Sequence, residues 1–330
     1  MEYVVYGAGA VGGVIGGRLA LSGAKVTLVA RGAHLAAIRE HGLVLDAGDG
    51  RHTIEAAATD TAAEVEWTDD TVVVLAVKSH QAGAALDDLR RHAPAGTAVV
   101  CATNGIATEV AALRLFARTY AICVMLPASH LEPGVVVSAC HPTPAILDIG
   151  RIPGGTDDTT AAVSADLRAS GIESEERDDI LAWKRRKLLL NLGNGIDASF
   201  TQGPEADALA ERALAEGEAV LAAAGLTVVS ADDDSARRGS ILQRRPDLER
   251  RGGSTWQSIQ RGTGDSEIDY LSGEVVLQGR LHGVPTPVND AVVAATRRLA
   301  ASGGTPRSLD PAEVLRTLGG GPPTFPARRM

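Results

Sequence analysis

Tyr3-Val4-Val5-Tyr6-Gly7-Ala8-Gly9-Ala10-Val11-Gly12-Gly13-Val14-Ile15-Gly16-Gly17-Arg18-Leu19-Ala20 reads as strand, glycine turn and helix. The spacing is G-x-G-x-x-G, and an apolar strand before it with an Ala/Leu-rich helix after it gives the spacing its meaning. Gly7 permits the tight turn, Gly9 lets backbone approach a pyrophosphate, and Gly12 lets the helix pack close to the strand. With Ala8, Ala10 and Val11 between the glycines, the loop delivers an anion to the free N–H groups and positive dipole end of the helix. A glycine-rich turn without a ligand is the plainer alternative, and the context favours a dinucleotide.

The second strand, Lys25-Val26-Thr27-Leu28-Val29-Ala30, bears on which dinucleotide. A site selective for NAD carries Asp or Glu at the end of this strand, about 20 residues beyond the glycines, to bind the ribose 2′-hydroxyl. Here the strand runs into Arg31-Gly32, with no acid. A guanidinium suits a 2′-phosphate through bidentate charge-assisted bonds, so Arg31 points to NADPH/NADP⁺. The plainer alternative is an exposed loop arginine.

A chain of 330 residues exceeds one typical core and implies two domains. The net charge is −9 with no long basic run, which argues against nucleic acid and against an anionic membrane surface. Cys101, Cys123 and Cys140 are far apart and sit in or near apolar strand-like stretches, as buried free thiols of a reducing compartment do. The eight histidines form no H-x-x-x-H pair, so no metal is expected. The N-terminus runs straight into a strand, and no apolar run is long enough to span a bilayer; a cytoplasmic location follows as the expectation.

Strands and helices alternate through the first half, the pattern of a doubly wound sheet. Thr71–Val77, Ala98–Ala102 and Tyr120–Met125 are nearly continuous apolar runs, as buried parallel strands are. Leu43–Leu45 and His52–Ile54 flank hairpin turn chemistry at Ala47-Gly48-Asp49-Gly50. Val135–Val137 and Ala145–Ile149 are expected as antiparallel edge strands, Thr156–Ser170 as a helix, and Glu173–Glu175 as a short last strand. From about Asp178 only helices are expected: 178–200, 204–224, 265–279 and 288–301, with a further helix starting at Asp232-Asp233-Asp234 and a frayed tail after Gly319. The expected domains are residues 1–175 and 176–330.

In an open parallel sheet, ligands bind beyond the carboxyl ends of the strands. Val77-Lys78-Ser79-His80-Gln81 and Thr103-Asn104-Gly105-Ile106 fall at such ends. Taken singly, Lys78 or Asn104 reads as a turn residue; their shared placement points to the cofactor. On a helix over Trp183–Asn194, residues Trp183, Lys187, Asn191 and Asn194 share one face. Lys184 points about 60° away from that face at roughly 100° per residue, and its loss is expected to cost little. A Lys-Asn-Asn stripe beside Leu188, Leu190 and Leu192 resembles the lining of a cleft more than a solvated surface.

The set as a whole resembles the ketopantoate reductase (2-dehydropantoate 2-reductase) family. The likeness rests on the glycine motif, Val77–Gln81, Asn104-Gly105, Trp183–Asn194, Ser254-Thr255-Trp256-Gln257-Ser258, Glu267-Ile268-Asp269-Tyr270-Leu271-Ser272-Gly273 and Gly283-Val284-Pro285-Thr286-Pro287-Val288-Asn289. It implies an α/β fold: an N-terminal NADP-binding Rossmann domain plus an all-helical C-terminal domain like those of 6-phosphogluconate dehydrogenases. It places the active site in the cleft between them, gives the helical domain substrate binding and dimerisation, and allows a homodimer. It makes Lys187 and Glu267 catalytic, gives Asn104, Asn191, Asn194 and Ser254 to the substrate, and assigns Arg31, Lys78, Gln81 and Asn104 to the cofactor side. The reaction implied is NADPH-dependent reduction of a small 2-keto acid, 2-dehydropantoate to pantoate for coenzyme A synthesis.

Two departures stand out. The family often has Trp two residues before the lysine, whereas Trp183 is four before Lys187. Its second Asn typically falls eight residues after the lysine, where this chain has Gly195, with Asn194 one place earlier. A remodelled pocket is expected. A paralogue reducing another keto acid or an imine in secondary metabolism therefore stays open. A non-catalytic NADP-binding regulator on the same fold is the reading from another class, and the presence of Lys187, Asn191 and Glu267 argues against it.

Overall fold

The computed structural model describes residues 1–249, 252–262, 264 and 266–319. The expected frayed tail from Gly320, and Asp265 at the head of one expected helix, lie outside them. In chain order the first elements are β1 (Glu2–Tyr6), α1 (Ala10–Leu21), β2 (Lys25–Val29), α2 (Gly32–His41), β3 (Leu43–Ala47), β4 (Gly50–Ile54), β5 (Ala57–Thr59), β6 (Thr71–Leu75), α3 (Ala82–His92), β7 (Ala98–Cys101) and α4 (Ala107–Leu113). There follow β8 (Thr119–Met125), β9 (Ala128–Ser129), β10 (Val135–Ser138), β11 (Ile146–Arg151), α5 (Asp158–Ala169), α6 (Ile180–Asn191) and α7 (Gly193–Ser199). The last are α8 (Pro204–Ala223), α9 (Ala231–Arg238), α10 (Ser254–Gln260), α11 (Ser272–His282), α12 (Pro287–Ala301) and α13 (Pro311–Thr317).

These elements form two compact units. The first holds Met1–Lys184 and takes back Val229–Glu249; the second holds Arg185–Val228 and the described residues from Gly252 onward. The division therefore falls inside α6, after Lys184, whereas the sequence suggests a line near 175.

The first unit is built on a seven-stranded sheet in the order β11-β8-β7-β6-β1-β2-β5. All its neighbours pair parallel except β11, which runs antiparallel to β8. Side-chain alternation splits the strands between two cores. Val4, Tyr6, Val73, Leu75, Val99 and Cys101 serve one, and Tyr3, Val5, Val72, Val74 and Val100 the other. Every residue of β6 and β8 is buried, which is why both read as unbroken apolar runs. The chain leaves β1 toward β2 on one side and resumes at β6 on the other, so the strand order reverses between β1 and β6. That is the place where an open sheet of this kind offers its loops to a ligand.

Two local expectations need correction. Val135–Val137 lies in β10, an inner strand of a separate four-stranded sheet, β4-β3-β10-β9; it is antiparallel to β9 but pairs parallel with β3. Its partner lies some ninety residues earlier in the chain, and nothing local marks such a pairing. Glu173–Glu175 forms no strand; single bridges from Glu173 to Ile146 and from Glu176 to Ile149 take its place beside β11.

Among the described residues the named elements of the second unit are helices, packed on Leu189, Leu192, Ile196, Leu209, Ala213, Val220, Val275, Val288 and Val292. At Gly217 on α8 a Cβ would stand 2.7 Å from Leu189 Cδ2 and 2.8 Å from Leu192 Cδ1, so glycine sets the closeness of that contact. The single helix expected over 178–200 is two. Leu192 bonds back to Leu189 O at 3.2 Å, a tightened turn that ends α6 before α7 begins. The helix expected over 265–279 is a 3₁₀ turn at Ile268–Tyr270 followed by α11. No helix among the described residues is long and apolar enough to cross a membrane.

Candidate active site

In the first unit the expected cofactor residues all follow β1, β2, β6 or β7, four neighbouring strands of the sheet. Gly7 has φ +103, and a Cβ there would meet Val77 N at 2.8 Å, so the glycine loop lies directly against the segment after β6. At Gly12 a Cβ would stand 2.2 Å from Gly7 O, which leaves room only for hydrogen. Gly9 is the opposite case: nothing lies within 4 Å of where its Cβ would be. Gly9 is also the N-cap of α1, and no side chain caps that end. A twelve-residue helix thus presents uncapped N–H groups beside open space, which suits a phosphate.

His34, on the first turn of α2, fixes the loop from the side. Its Nε2–H donates to Ala8 O at 2.7 Å, and its Nδ1 accepts from Gly134 N at 2.8 Å. Both partners are satisfied only by the neutral ring. Burial first, and then the neighbouring His130 with ring centroids 4.1 Å apart, hold His34 below its ordinary pKa of 6.5; the bond to Ala8 opposes them.

Arg31 is the exposed N-cap of α2, just beyond the end of β2. Its guanidinium interacts with the Tyr6 phenol, whose O–H donates to Asp88 Oδ2 at 2.7 Å. Burial and then Asp88 push the Tyr6 pKa up to about 12, with Arg31 opposing, so the phenol stays protonated and tethers the arginine. Lys78 caps the 3₁₀ turn Ser79–Gln81 after β6, and Gln81 is exposed at its end. Asn104 follows β7. Ser79 Oγ donates to Asn104 O at 3.2 Å, so the loops after β6 and β7 are tied together.

Lys184 corrects the expectation that it is dispensable. It is 3% exposed, and its ammonium donates to Thr103 O at 2.7 Å and Ile122 O at 3.1 Å while pairing with Glu109 Oε1 at 2.9 Å. Helix periodicity correctly turned Lys184 off the Lys187 face, but the direction it took leads into the first unit's core.

In the second unit, Lys187 and Asn191 lie one turn apart on α6, Lys187 half-buried and Asn191 buried. Asn194 Nδ2 donates to Asn191 Oδ1 at 3.4 Å. A Cβ on Gly253, the residue before Ser254, would come within 3.2 Å of Asn194 Oδ1. Asn191, Asn194 and the head of α10 with Ser254 therefore converge. After the tightened turn at Leu192, position 194 carries the polar side chain that meets Asn191. Position 195 faces the core instead, where a Cβ would meet Ile268 Cδ1 at 2.6 Å and Val292 Cγ1 at 2.9 Å. Glu267, 8% exposed, immediately precedes that same Ile268.

Sequence reading did not single out Arg261, whose side chain is exposed at the end of α10 but partly desolvated. Burial lowers its pKa, and the Glu267 carboxylate opposes the shift, so a guanidinium stands in the electrostatic reach of Glu267. It also missed His34 and Lys184, whose partners are distant in sequence. Among the described residues no group of three or more His, Cys, Asp or Glu is placed to hold a metal ion.

Two family descriptions match the chain: ketopantoate reductase PanE/ApbA over residues 3–154, and ketopantoate reductase PanE/ApbA C terminal over residues 179–300. A 2-dehydropantoate 2-reductase from Mesorhizobium japonicum is 29% identical over 336 residues, spanning 92% of this chain and 99% of the relative. A PanE/ApbA family ketopantoate reductase from Ralstonia eutropha JMP134 superposes with a TM-score of 0.78 at 26% identity, covering 92% of this chain and 99% of that one. D-mandelate dehydrogenase, solved with NADH and anilino(oxo)acetate, has the same fold: TM-score 0.78 at 23% identity, with 92% and 99% covered. With both halves matched in order and the glycine loop in its structural setting, the chain belongs to the ketopantoate reductase family of oxidoreductases.

Proposed function

We propose that this protein reduces a small 2-keto acid to the 2-hydroxy acid with NADPH, 2-dehydropantoate to pantoate in the first instance, serving coenzyme A synthesis in the cytoplasm. The observation that carries the proposal is the polar cluster of the second unit. Lys187 stands one helical turn from Asn191, and Asn191 holds Asn194 beside the head of α10. The residues of the first unit fit the cofactor: open space at Gly9, an uncapped α1 N-terminus for the pyrophosphate, and Arg31 for a 2′-phosphate.

A bound reduced nicotinamide would supply hydride to the keto carbon. The chain's part is to receive the charge that appears on oxygen. An ammonium at Lys187 stabilises that charge and holds the proton the oxygen needs. Asn191, Asn194 and Ser254 hydrogen-bond the substrate's polar groups and fix its orientation. Glu267 orients Lys187 or takes a substrate hydroxyl. Asn104, Lys78 and Gln81 hold the nicotinamide end.

The relative that binds anilino(oxo)acetate supports a second reading, an aromatic or branched 2-keto acid. The deciding experiment follows NADPH and NADH oxidation across a panel of 2-keto acids that includes 2-dehydropantoate and an aryl glyoxylate, on wild type and Lys187→Ala. Lys187→Ala should lower kcat by about 10²–10⁴, the scale of a positioned general acid, with NADPH affinity unchanged. Turnover of an aryl glyoxylate alone would move the substrate to the second reading. No turnover of any 2-keto acid would remove the proposal.

A further inference from the structure

Lys184 and Glu109 form a buried charge pair, 3% and 0% exposed, in the first unit. Such a pair is weak evidence for stability, because the cost of desolvating two ions rivals their attraction. Here the satisfaction is also incomplete. Both Glu109 carboxylate oxygens, Thr103 Oγ1 and Thr108 Oγ1 are buried without a hydrogen bond, so Lys184 meets Glu109 Oε1 as an ion pair only. A well-packed apolar pair would serve the core at lower cost, so the charge is placed for another purpose.

Its location supplies one. Lys184 Nζ donates to Thr103 O, the carbonyl of the peptide that leads into Asn104. It also donates to Ile122 O, one residue past the last β7–β8 pair of Cys101 with Ala121, and so spans the opening where β7 leaves β8. On the other side of Asn104, its own carbonyl accepts from Ser79 Oγ. Both peptide planes flanking Asn104 are held, one of them by an ammonium. Glu109 lies on α4, the helix that follows the same turn, and neutralises the ammonium from there.

We propose that Lys184 is a positioning residue: its ammonium, neutralised by Glu109, clamps the Thr103–Asn104 peptide and thereby sets the Asn104 side chain for the reaction. The inference rests on the assignment of Asn104 to the nicotinamide and substrate side made above. A compact ammonium suits the task because its donors reach two carbonyls in different directions while its charge faces the carboxylate, which a planar guanidinium does not.

The test uses Lys184→Met/Glu109→Met, which removes both charges, with Asn104→Ala and the triple variant completing a cycle. The double variant should fold, with a loss of melting temperature no larger than two unpaired carbonyls account for, since both charges go together. In the cofactor-free protein, amides over residues 103–106 should exchange with deuterium at least tenfold faster, with the rest of the first unit unchanged. With NADPH and the best 2-keto acid of the panel, kcat should fall about tenfold while the NADPH dissociation constant stays within about twofold, and the loss should not add to that of Asn104→Ala. Wild-type exchange and wild-type kcat in the double variant overturn the proposal and leave the Asn104 assignment standing. A slow double variant beside a silent Asn104→Ala overturns the assignment of Asn104, and the proposal with it. Losses that multiply in the triple variant overturn the clamp alone. If the double variant does not fold, Lys184→Arg carries the same cycle, since it keeps the charge against Glu109 and changes only the donor geometry.

Discussion

Gly195 stands where the sequence resemblance leads one to expect a second asparagine, and its surroundings leave little room for one. Ile268, Val292 and Thr296 close on the position a Cβ would take. Gly195→Asn should therefore act as overpacking, costing about 1–3 kcal/mol. Calorimetry should show Tm down by several degrees, and kcat/KM for 2-dehydropantoate should not rise. A stable variant with higher kcat/KM would mean that Gly195 faces substrate after all. Arg31 is the second residue with a clear outcome. One charge-assisted contact to phosphate contributes about 1.5–3 kcal/mol, so Arg31→Ala should raise KM for NADPH at least about tenfold and leave NADH nearly unchanged. Equal losses with both cofactors would take the 2′-phosphate from Arg31. The Tyr6→Phe variant offers a finer check, because it cuts the tether to Asp88 and should raise the NADPH KM by less than Arg31→Ala does.

Elements differed in how much of them the sequence revealed. The β1–α1 unit was legible because each glycine answers a local need that spacing alone exposes: a turn at Gly7, an open approach at Gly9, a contact at Gly12. The α6–α7 break was not, because one tightened turn at Leu192 has no residue signature beyond Gly193. Helix periodicity puts Asn194 beside Asn191 on one continuous face, whereas the structure brings the two together across the break. Of the second sheet the β3–β4 hairpin was legible from its turn chemistry, but the β3–β10 pairing was not, since those strands meet across the intervening strands of the other sheet. The motif Gly283–Asn289 turned out to serve structure: Val288 N, Asn289 N and Asn289 Nδ2 donate to the buried Glu216 carboxylate at the start of α12. At this scale the glycine loop and α2 are joined by His34, and that joint should depend on pH. The folded state holds His34 neutral and below its ordinary pKa of 6.5. Its contribution is complete above 6.5 and is lost as pH falls from 6.5 through the folded value, because the unfolded chain takes the proton first. The Tm of wild type should drop between pH 7.5 and 5.5 by more than that of His34→Gln. Parallel Tm curves would show that the imidazole does not control this joint.

At the scale of the whole chain, Val229–Glu249 leaves the helical half and returns to the first unit, which no composition shift announces. Its attachment is a charge cluster on β11. Asp148, 2% exposed, accepts from Arg177 Nη2 and Arg237 Nη2, each at 2.8 Å, and from Glu175 N at 3.0 Å. Burial by itself would lower the Arg237 pKa, and Asp148 reverses this and holds it above its ordinary value. Arg245 adds a second anchor through Asp46 Oδ1 at 2.8 Å. Asp148 and Arg237 lie eighty-nine residues apart, and each looks like an ordinary surface charge until the fold brings them together. Asp148→Ala would leave Arg177 and Arg237 with only the half-exposed Glu175 carboxylate between them, a change that should cost less than the about 3–5 kcal/mol of a buried pair that loses its whole partner. The first consequence should be local, because Arg245 still holds the far end of the segment. Trypsin should then cut at Arg237 or Arg238 in Asp148→Ala well below the temperature at which the rest of the chain melts, and leave wild type intact there. Cleavage at equal rates in both proteins would show that packing of Ile241 and Leu242 on the β8–β11 side, and not the arginine pair, fastens the segment.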